Sequence, residues 1–311
     1  MSVSPRISFT IPYYDNPAYL AEAIASVRAQ TVADWELIVV DDSGPAPAPK
    51  LVEGLGDDRV SYVRNEVNLG LAGNWNECVR RATAPYITVL HADDRLLPTY
   101  GERVLAALDG RPEVVAAFTD AAIVDAEGKP TWTAADLTKK VLPRPREDHD
   151  LAGDRATAGL LRGNYILCPT LCFRIETVGR APFDARWRFV PDWDITVRLL
   201  FEGHTLRAVR EPLLEYRRHG GQQTSLLTEN ASRFVEEIEF LERSADRASA
   251  LGWTASERTA RRRVTLRGHV AQKMLADLSV GRVGAAREKA RILRLDLRRG
   301  QRVGAHDPDP Q

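Results

Sequence analysis

The chain reads as an α/β protein, with a mostly parallel central sheet flanked by helices and a C-terminal helical extension. Three observations predict this. Between Arg6 and about Thr119, short apolar runs alternate with segments of helical period, the pattern of a sheet built from strand–helix units. Two of those runs, Trp35–Val40 and Tyr86–Leu90, lead into adjacent carboxylates, Asp41–Asp42 and Asp93–Asp94. From Glu229 onward the strand-like runs cease and long amphipathic segments take over.

Ile7–Ile11 opens the sheet. Pro17 stands just inside a helix start, and Leu20, Ile24 and Val27 recur at i, i+4 and i+7, so a helix is predicted to near Gln30. The strand before Asp41 is followed by the proline-rich GPAPAPK connection, a helix near Lys50–Leu55 and a strand at Val60–Val63. A helix over Trp75–Ala82 precedes the strand PYITVL, and another over Tyr100–Leu108 precedes a strand at Val114–Phe118. Asp125–Lys129 reads as a hairpin turn, and the polar, proline-interrupted stretch 133–151 as a mobile loop over the site. Asp154 is the expected N-cap of a helix to Arg162. A helix from about Trp193, strands at Thr205–Val209 and Leu213–Arg217, and helices over Ala231–Ala250, Ser256–Leu278 and Val283–Arg298 complete the reading. The expected division is an α/β domain over 1–228, a basic helical region over 229–304 and a disordered tail over 305–311.

At 311 residues the chain is long enough for one large domain or two. With 44% apolar and 28% charged residues it falls outside the disordered and membrane-spanning classes. The 43 basic and 43 acidic side chains cancel, but Trp253–Gly304 carries fourteen Lys and Arg against four acids, so that region is expected to face something anionic. The Arg261–Arg263 run lacks interleaved aromatics, which argues against nucleic acid. The basic helices of the region stay open to three readings: a solvated face, peripheral attachment to anionic lipid, or a homodimer or acceptor-docking surface. No apolar run approaches the roughly 20 residues of a membrane span, and the N-terminus lacks a signal-peptide core, so a cytoplasmic location is expected, with the inner membrane face as its peripheral variant. Cys78, Cys168 and Cys172 fit neither a disulfide scaffold nor zinc spacing and read as buried thiols.

No GxGxxG follows the first strand and no GxxxxGK[ST] occurs, so the glycine-cradled phosphate sites of dehydrogenases and P-loop enzymes are excluded. Acidic strand ends instead suit Mg²⁺ or Mn²⁺, typically held by one or two carboxylates plus substrate phosphates. That points to a nucleotide-diphosphate substrate.

The segments IPYYDNPAYLAEAIASVRAQT, WELIVVDDSG, NEVNLGLAGNWNECVRRATAPYITVLHADD, PDWDITVRLLFEGH and EYRRHGGQQTS, in that order, resemble the family 2 glycosyltransferases, whose fold is the Rossmann-like GT-A type. The resemblance covers about Arg6–Ser225. It implies that Pro12 and Tyr14 flank the nucleotide base, that Asp41 accepts from a pyrimidine N3–H of a UDP or dTDP sugar, and that Asn68 with Gly70 passes beside the nucleotide. It further implies that Asp93 bonds the ribose, that Asp94 ligates the metal, and that His219 completes the metal or diphosphate site. The chain departs from the family at Asp15, where Asn is usual, and at Trp75, where many members carry an Arg that approaches the diphosphate.

Asp192 stands in the place of the family's catalytic acid and is the expected general base for the acceptor hydroxyl, giving single displacement with inversion. Its bland alternative is an N-cap for the helix near Trp193. Trp193 stacks on a sugar or fills the core, and Asp194 is the base in place of Asp192, beside sugar or acceptor, or serves the helix dipole. His91 is a third metal ligand or a packed strand-end residue; Arg217 and Arg218 supply phosphate-binding charge or are solvated. Two other classes compete: a non-catalytic sugar-nucleotide binding or scaffold protein, and a sugar nucleotidyltransferase. The sugar and the hydroxyl acceptor are not fixed by this pattern.

Overall fold

The computed structural model describes residues 4–131, 145, 147–218 and 231–303. Expectations for His219, the tail after 304 and most of the 133–151 loop lie outside those residues. Strand β1 (Ile7–Tyr13) is buried almost throughout, because its parallel neighbours β2 (Trp35–Asp41) and β4 (Tyr86–Val89) pair with it on either side. Helix α1 (Pro17–Arg28) starts where predicted: Asn16 caps it by accepting the Ala18 and Tyr19 amides, and Leu20, Ala23, Ile24 and Val27 form its buried stripe. Short helix α2 (Pro49–Glu53) leads to β3 (Val60–Arg64), parallel to β2 at one edge of the sheet.

Helix α3 (Gly70–Arg81) begins five residues before the predicted start, because its entry is fixed by the carboxylate of Asp42 rather than by apolar period. After β4 come β5 (Arg95–Leu96), α4 (Tyr100–Leu108) and β6 (Val114–Val124). Sequence reading missed β5, β7 (His149–Leu151) and β8 (Leu171–Arg174), which are two to four residues long and too short to show a period. Strand β8 is inserted antiparallel between β4 and β6, and β9 (Thr205–Arg217) runs parallel to β6. The order is β3-β2-β1-β4-β8-β6-β9-β5, with β7 also on β9. Two antiparallel steps through β8 restore direction, so β6 and β9 point the same way as β4. The two predicted strands of 205–217 are one strand broken by a bulge, where Asp120 opposes Pro212, which has no N–H to donate.

The chain forms two compact units. The first holds the sheet with its helices, including α6 (Ile175–Val178) and α7 (Pro191–Phe201). The second comprises Gly153–Asn164, Trp187–Val190 and the chain after Gly220, so it takes in two stretches that lie before residue 228 in sequence. Its helices are α5 (Gly153–Arg162), α8 (Ser232–Ala250), α9 (Thr254–Arg262), α10 (Val264–Ser279) and α11 (Val283–Val303). Asp154 does not cap its own helix; it accepts the Ala255 and Ser256 amides and so caps α9. The single helix predicted over Ser256–Leu278 is broken at Arg263, whose φ of +47° is left-handed. The buried guanidinium of Arg263 reaches Glu242 and Asp296 at 3.2 and 3.1 Å, interactions that offset a backbone cost of order 1 kcal/mol.

Candidate active site

Parallel pairing sets Tyr13 opposite Asp41 and Thr10 opposite Val89, so the acidic segments after β2 and β4 share the carboxyl edge of the sheet with the end of β1. The β2 end is built as structure. Asp41 is wholly buried; its Oδ1 accepts the Gly44 amide at 2.9 Å, and its Oδ2 accepts from the Tyr62 hydroxyl and from Arg64 Nη1. Gly44 is required there, because a Cβ would fall 1.5 Å from the Tyr14 carbonyl oxygen. Asp42 accepts Asn65 Nδ2, the Leu69 amide and the Gly70 amide at 2.8–3.0 Å, which anchors the start of α3. Asp41, expected to receive a base N3–H, thus already accepts three hydrogen bonds from within the fold.

The β4 end is built differently. His91, Asp93 and Asp94 each offer a ligand atom, and these atoms lie within 4.8 Å of one another. Asp94 is buried, and burial, reinforced by the charge on Asp93, pushes its carboxyl well above the ordinary range against the opposing amide and charge of Arg217. Burial pulls the His91 imidazole below its usual value, so the ring is held neutral with a lone pair to give. Asp94 Oδ2 and His91 Nε2 are buried and have no hydrogen-bond partner among the described residues, with His91 Nδ1 3.8 Å from Asp94 Oδ2. A buried carboxylate with an orphaned oxygen costs several kcal/mol unless it holds a proton or meets a cation. The donor set fits a divalent cation held by two carboxylates and one imidazole.

Neighbouring elements fix this group. Trp75 on α3 stacks on His91, with ring centroids 5.2 Å apart and planes 25° apart, and meets Phe183 edge-on. Its position supplies packing rather than a cation for phosphate. Arg217 at the end of β9 is buried: its amide donates to Asp94 Oδ1 at 2.9 Å, its Nε to the Asp93 carbonyl at 2.9 Å, and its other nitrogens to the Ala126 carbonyl and Glu22. Arg217 is thus a brace for the acidic pair, not a solvated or phosphate-binding arginine.

Helix α7 enters β9 and begins at Pro191, which leaves Asp192 half-buried in the first turn rather than at the N-cap. The thiol of Cys168 is raised first by burial and then by the charges of Asp192 and Asp94. Burial likewise raises the Tyr216 phenol, with Asp94, Asp93 and Asp192 adding to it. Tyr216 feels Asp94, Asp93 and Asp192, and Cys168 feels Asp192 and Asp94, so Asp192 and the acidic pair lie within electrostatic reach of the same two groups. Sequence reasoning passed over Tyr216; its one signal was a place in EYRR at the end of the last strand.

The other expected residues differ in burial and partners. Trp193 is buried and packs, so it is no open platform for a sugar. Asp194 lies 3.7 Å from Arg198 on the next turn. Pro12 is half-buried and Tyr14 exposed at the end of β1, and exposed Asn68 accepts the Gly70 amide at 2.9 Å. The three cysteines are free and buried.

Residues 8–158 match the sequence profile described as glycosyl transferase family 2. A putative glycosyltransferase, EpsE, of Bacillus subtilis is 32% identical over 112 residues, which are 35% of this chain and 40% of that protein. An uncharacterised glycosyltransferase of Methanocaldococcus jannaschii is 23% identical over 217 residues, 68% of this chain and 71% of that protein. A protein of Sinorhizobium fredii is 34% identical over 139 residues, but the chain spans only 15% of its length. Among solved structures, Staphylococcus aureus TarS in complex with UDP-GlcNAc superposes with a TM-score of 0.57 at 15% identity, covering 95% of this chain and 92% of that one. The mannosyltransferase PcManGT of Pyrobaculum calidifontis, in complex with GDP-Man and Mn²⁺, superposes with a TM-score of 0.56 at 16% identity, covering 95% and 81%. These likenesses establish the GT-A fold.

Proposed function

The chain belongs to glycosyl transferase family 2 through residues 8–158, and from that premise we propose that it is a metal-dependent, inverting glycosyltransferase acting on a nucleotide-diphosphate sugar. The observation that carries the reading is the His91–Asp93–Asp94 group, with Asp94 buried and two orphaned polar atoms, in electrostatic reach of groups that also feel Asp192.

When bound there, a divalent cation neutralises the charge that grows on the departing diphosphate. His91, Asp93 and Asp94 would hold it, Trp75 stacks on the His91 ring, and Arg217 fixes the Asp94 carboxylate and the Asp93 backbone. The imidazole in that set favours Mn²⁺ over Mg²⁺, because nitrogen donors suit first-row transition ions better than hard Mg²⁺. Asp192 takes the proton of the acceptor hydroxyl as it attacks the anomeric carbon from the face opposite the leaving group, and that single displacement inverts the centre. The donor is read as a UDP or dTDP sugar, with Pro12, Tyr14 and Asn68 around the nucleotide and a reducing, cytoplasmic setting for the three free thiols.

Asp192→Asn should abolish product formation while donor binding persists, measured by transfer assay and by calorimetric titration of the donor. Full activity in that variant removes the base assignment. Release of pyrophosphate instead of a nucleoside diphosphate would show a nucleotidyltransferase, and donor binding without release of either would show a binding protein.

A further inference from the structure

Within the second unit, charge and apolar surface are sorted in an unusual way. Helices α10 and α11 turn acids inward: Asp296 is buried between Arg263 and Arg267, at 3.1 and 2.6 Å, and Asp277 meets the buried Lys289 at 2.8 Å. Over 264–297 the only exposed acid is Glu288, against five exposed cations: Lys273, Arg282, Arg287, Arg291 and Arg294. Arg287, Arg291 and Arg294 fall at i, i+4 and i+7, one face of α11, and make no ion pair among the described residues.

The same stretch exposes leucines and valines. Val264, Leu275 and Leu278 lie at i, i+11 and i+14 on one face of α10, 71, 61 and 49% exposed, while Leu266 and Val270 on the other face are buried. The connection to α11 adds exposed Val280 and Val283, and α11 itself adds Leu295 and Leu297. Seven of the twelve large apolar residues exposed among the described residues therefore sit within these 34 positions. Ordinary solvated helices keep leucine in and acid out; here Lys289 and Asp296 are inside and Leu295 and Leu297 outside.

We propose that the α10–α11 hairpin is a docking surface for an anionic lipid bilayer. Exposed apolar side chains enter the boundary between headgroups and acyl chains, and the arginine row meets the negative surface. A two-fold pairing with a second copy of this chain would set the same cations against each other, which disfavours that occupant. A nucleic acid would find no Phe, Trp or Tyr between 264 and 297 on which to stack a base.

The test is flotation of the full chain with phosphatidylcholine vesicles, with and without phosphatidylglycerol, at low and high salt. Binding is expected only with phosphatidylglycerol and should weaken with salt. Replacing Arg287, Arg291 and Arg294 together by Gln should lower partition about fivefold for each arginine removed. The pair Leu275→Ser and Leu278→Ser should abolish the salt-resistant part. All five positions are exposed, so the melting temperature should not move; if the leucine pair misfolds, the arginine triple decides alone. Binding absent from both vesicle types, or equal on both, overturns the proposal. So does light scattering that shows a lipid-free dimer dissociated by the leucine pair.

Discussion

The two acidic strand ends, VDDSG after β2 and HADD after β4, look alike in sequence and end in opposite electrostatic states. At Asp41–Asp42 every charge is met from within: amides of Gly44, Leu69 and Gly70, the Tyr62 hydroxyl, Arg64 and Asn65. At Asp93–Asp94 the buried Oδ2 of Asp94 and Nε2 of His91 are left without donor or acceptor among the described residues. A carboxylate pair therefore becomes scaffold or site according to the donors that neighbouring elements bring to it, which the dipeptide itself does not record.

The sharpest break of that comparison is Asp94→Asn. We expect transfer to fall at least about a thousandfold, since charge stabilisation of a leaving group is commonly worth this much. The apo protein should be no less stable, because the buried carboxyl is gone, while the rise in melting temperature given by Mn²⁺ to the wild type should vanish. An unaltered Mn²⁺ effect would return the β4 end to scaffold.

The opposite change is Asp42→Ala. It leaves the Leu69 amide unmet and the Gly70 amide with Asn68 alone, so a loss of about 1–3 kcal/mol in urea unfolding is expected. In what remains folded, the Mn²⁺-induced stabilisation should persist. His91→Asp tests the donor set more gently: the ratio of Mn²⁺ to Mg²⁺ affinity, by isothermal titration, should fall about tenfold while the site still binds. An unchanged ratio would place the imidazole outside the ligand set.

The smallest expected effect lies in the second unit, where the comparison extends to the half-buried His269. Burial, with Arg233 and Lys273 nearby, lowers His269 from 6.5 to about 4, and its ring meets Phe234 edge-on. Neutral in the fold and protonated when unfolded, it contributes stability that is fully present above about pH 6.5 and lost as pH falls toward about 4. His269→Gln should flatten the fall in melting temperature across that window; an identical profile would show that other groups govern it.

Much of this was legible in the sequence. Alternating apolar runs located β1, β2, β3, β4 and β6, and the i, i+4, i+7 stripe of Leu20, Ile24 and Val27 located α1, because local periodicity is imposed by burial of one face or one strand. The acids at the ends of β2 and β4 were named from type and position, and Asp192 at the start of α7 from the family resemblance. Less visible were β5, β7 and β8, which exist only through pairing with partners distant in the chain. The break between α9 and α10 was hidden too, since Arg263 leaves helical geometry to reach Glu242 and Asp296.

By itself, then, the order of residues determined the α/β architecture, the resemblance to a glycosyltransferase family, and which carboxylates are available for chemistry. Only the tertiary structure decided which of them are spent. Asp41 is consumed by Arg64 and Tyr62, Arg217 is drawn in to brace Asp93 and Asp94, and His91 is turned beside them under Trp75. The physical reason is that a buried charge takes its meaning from the donors and cations within a few ångströms, and those arrive from strands and helices far apart in the chain.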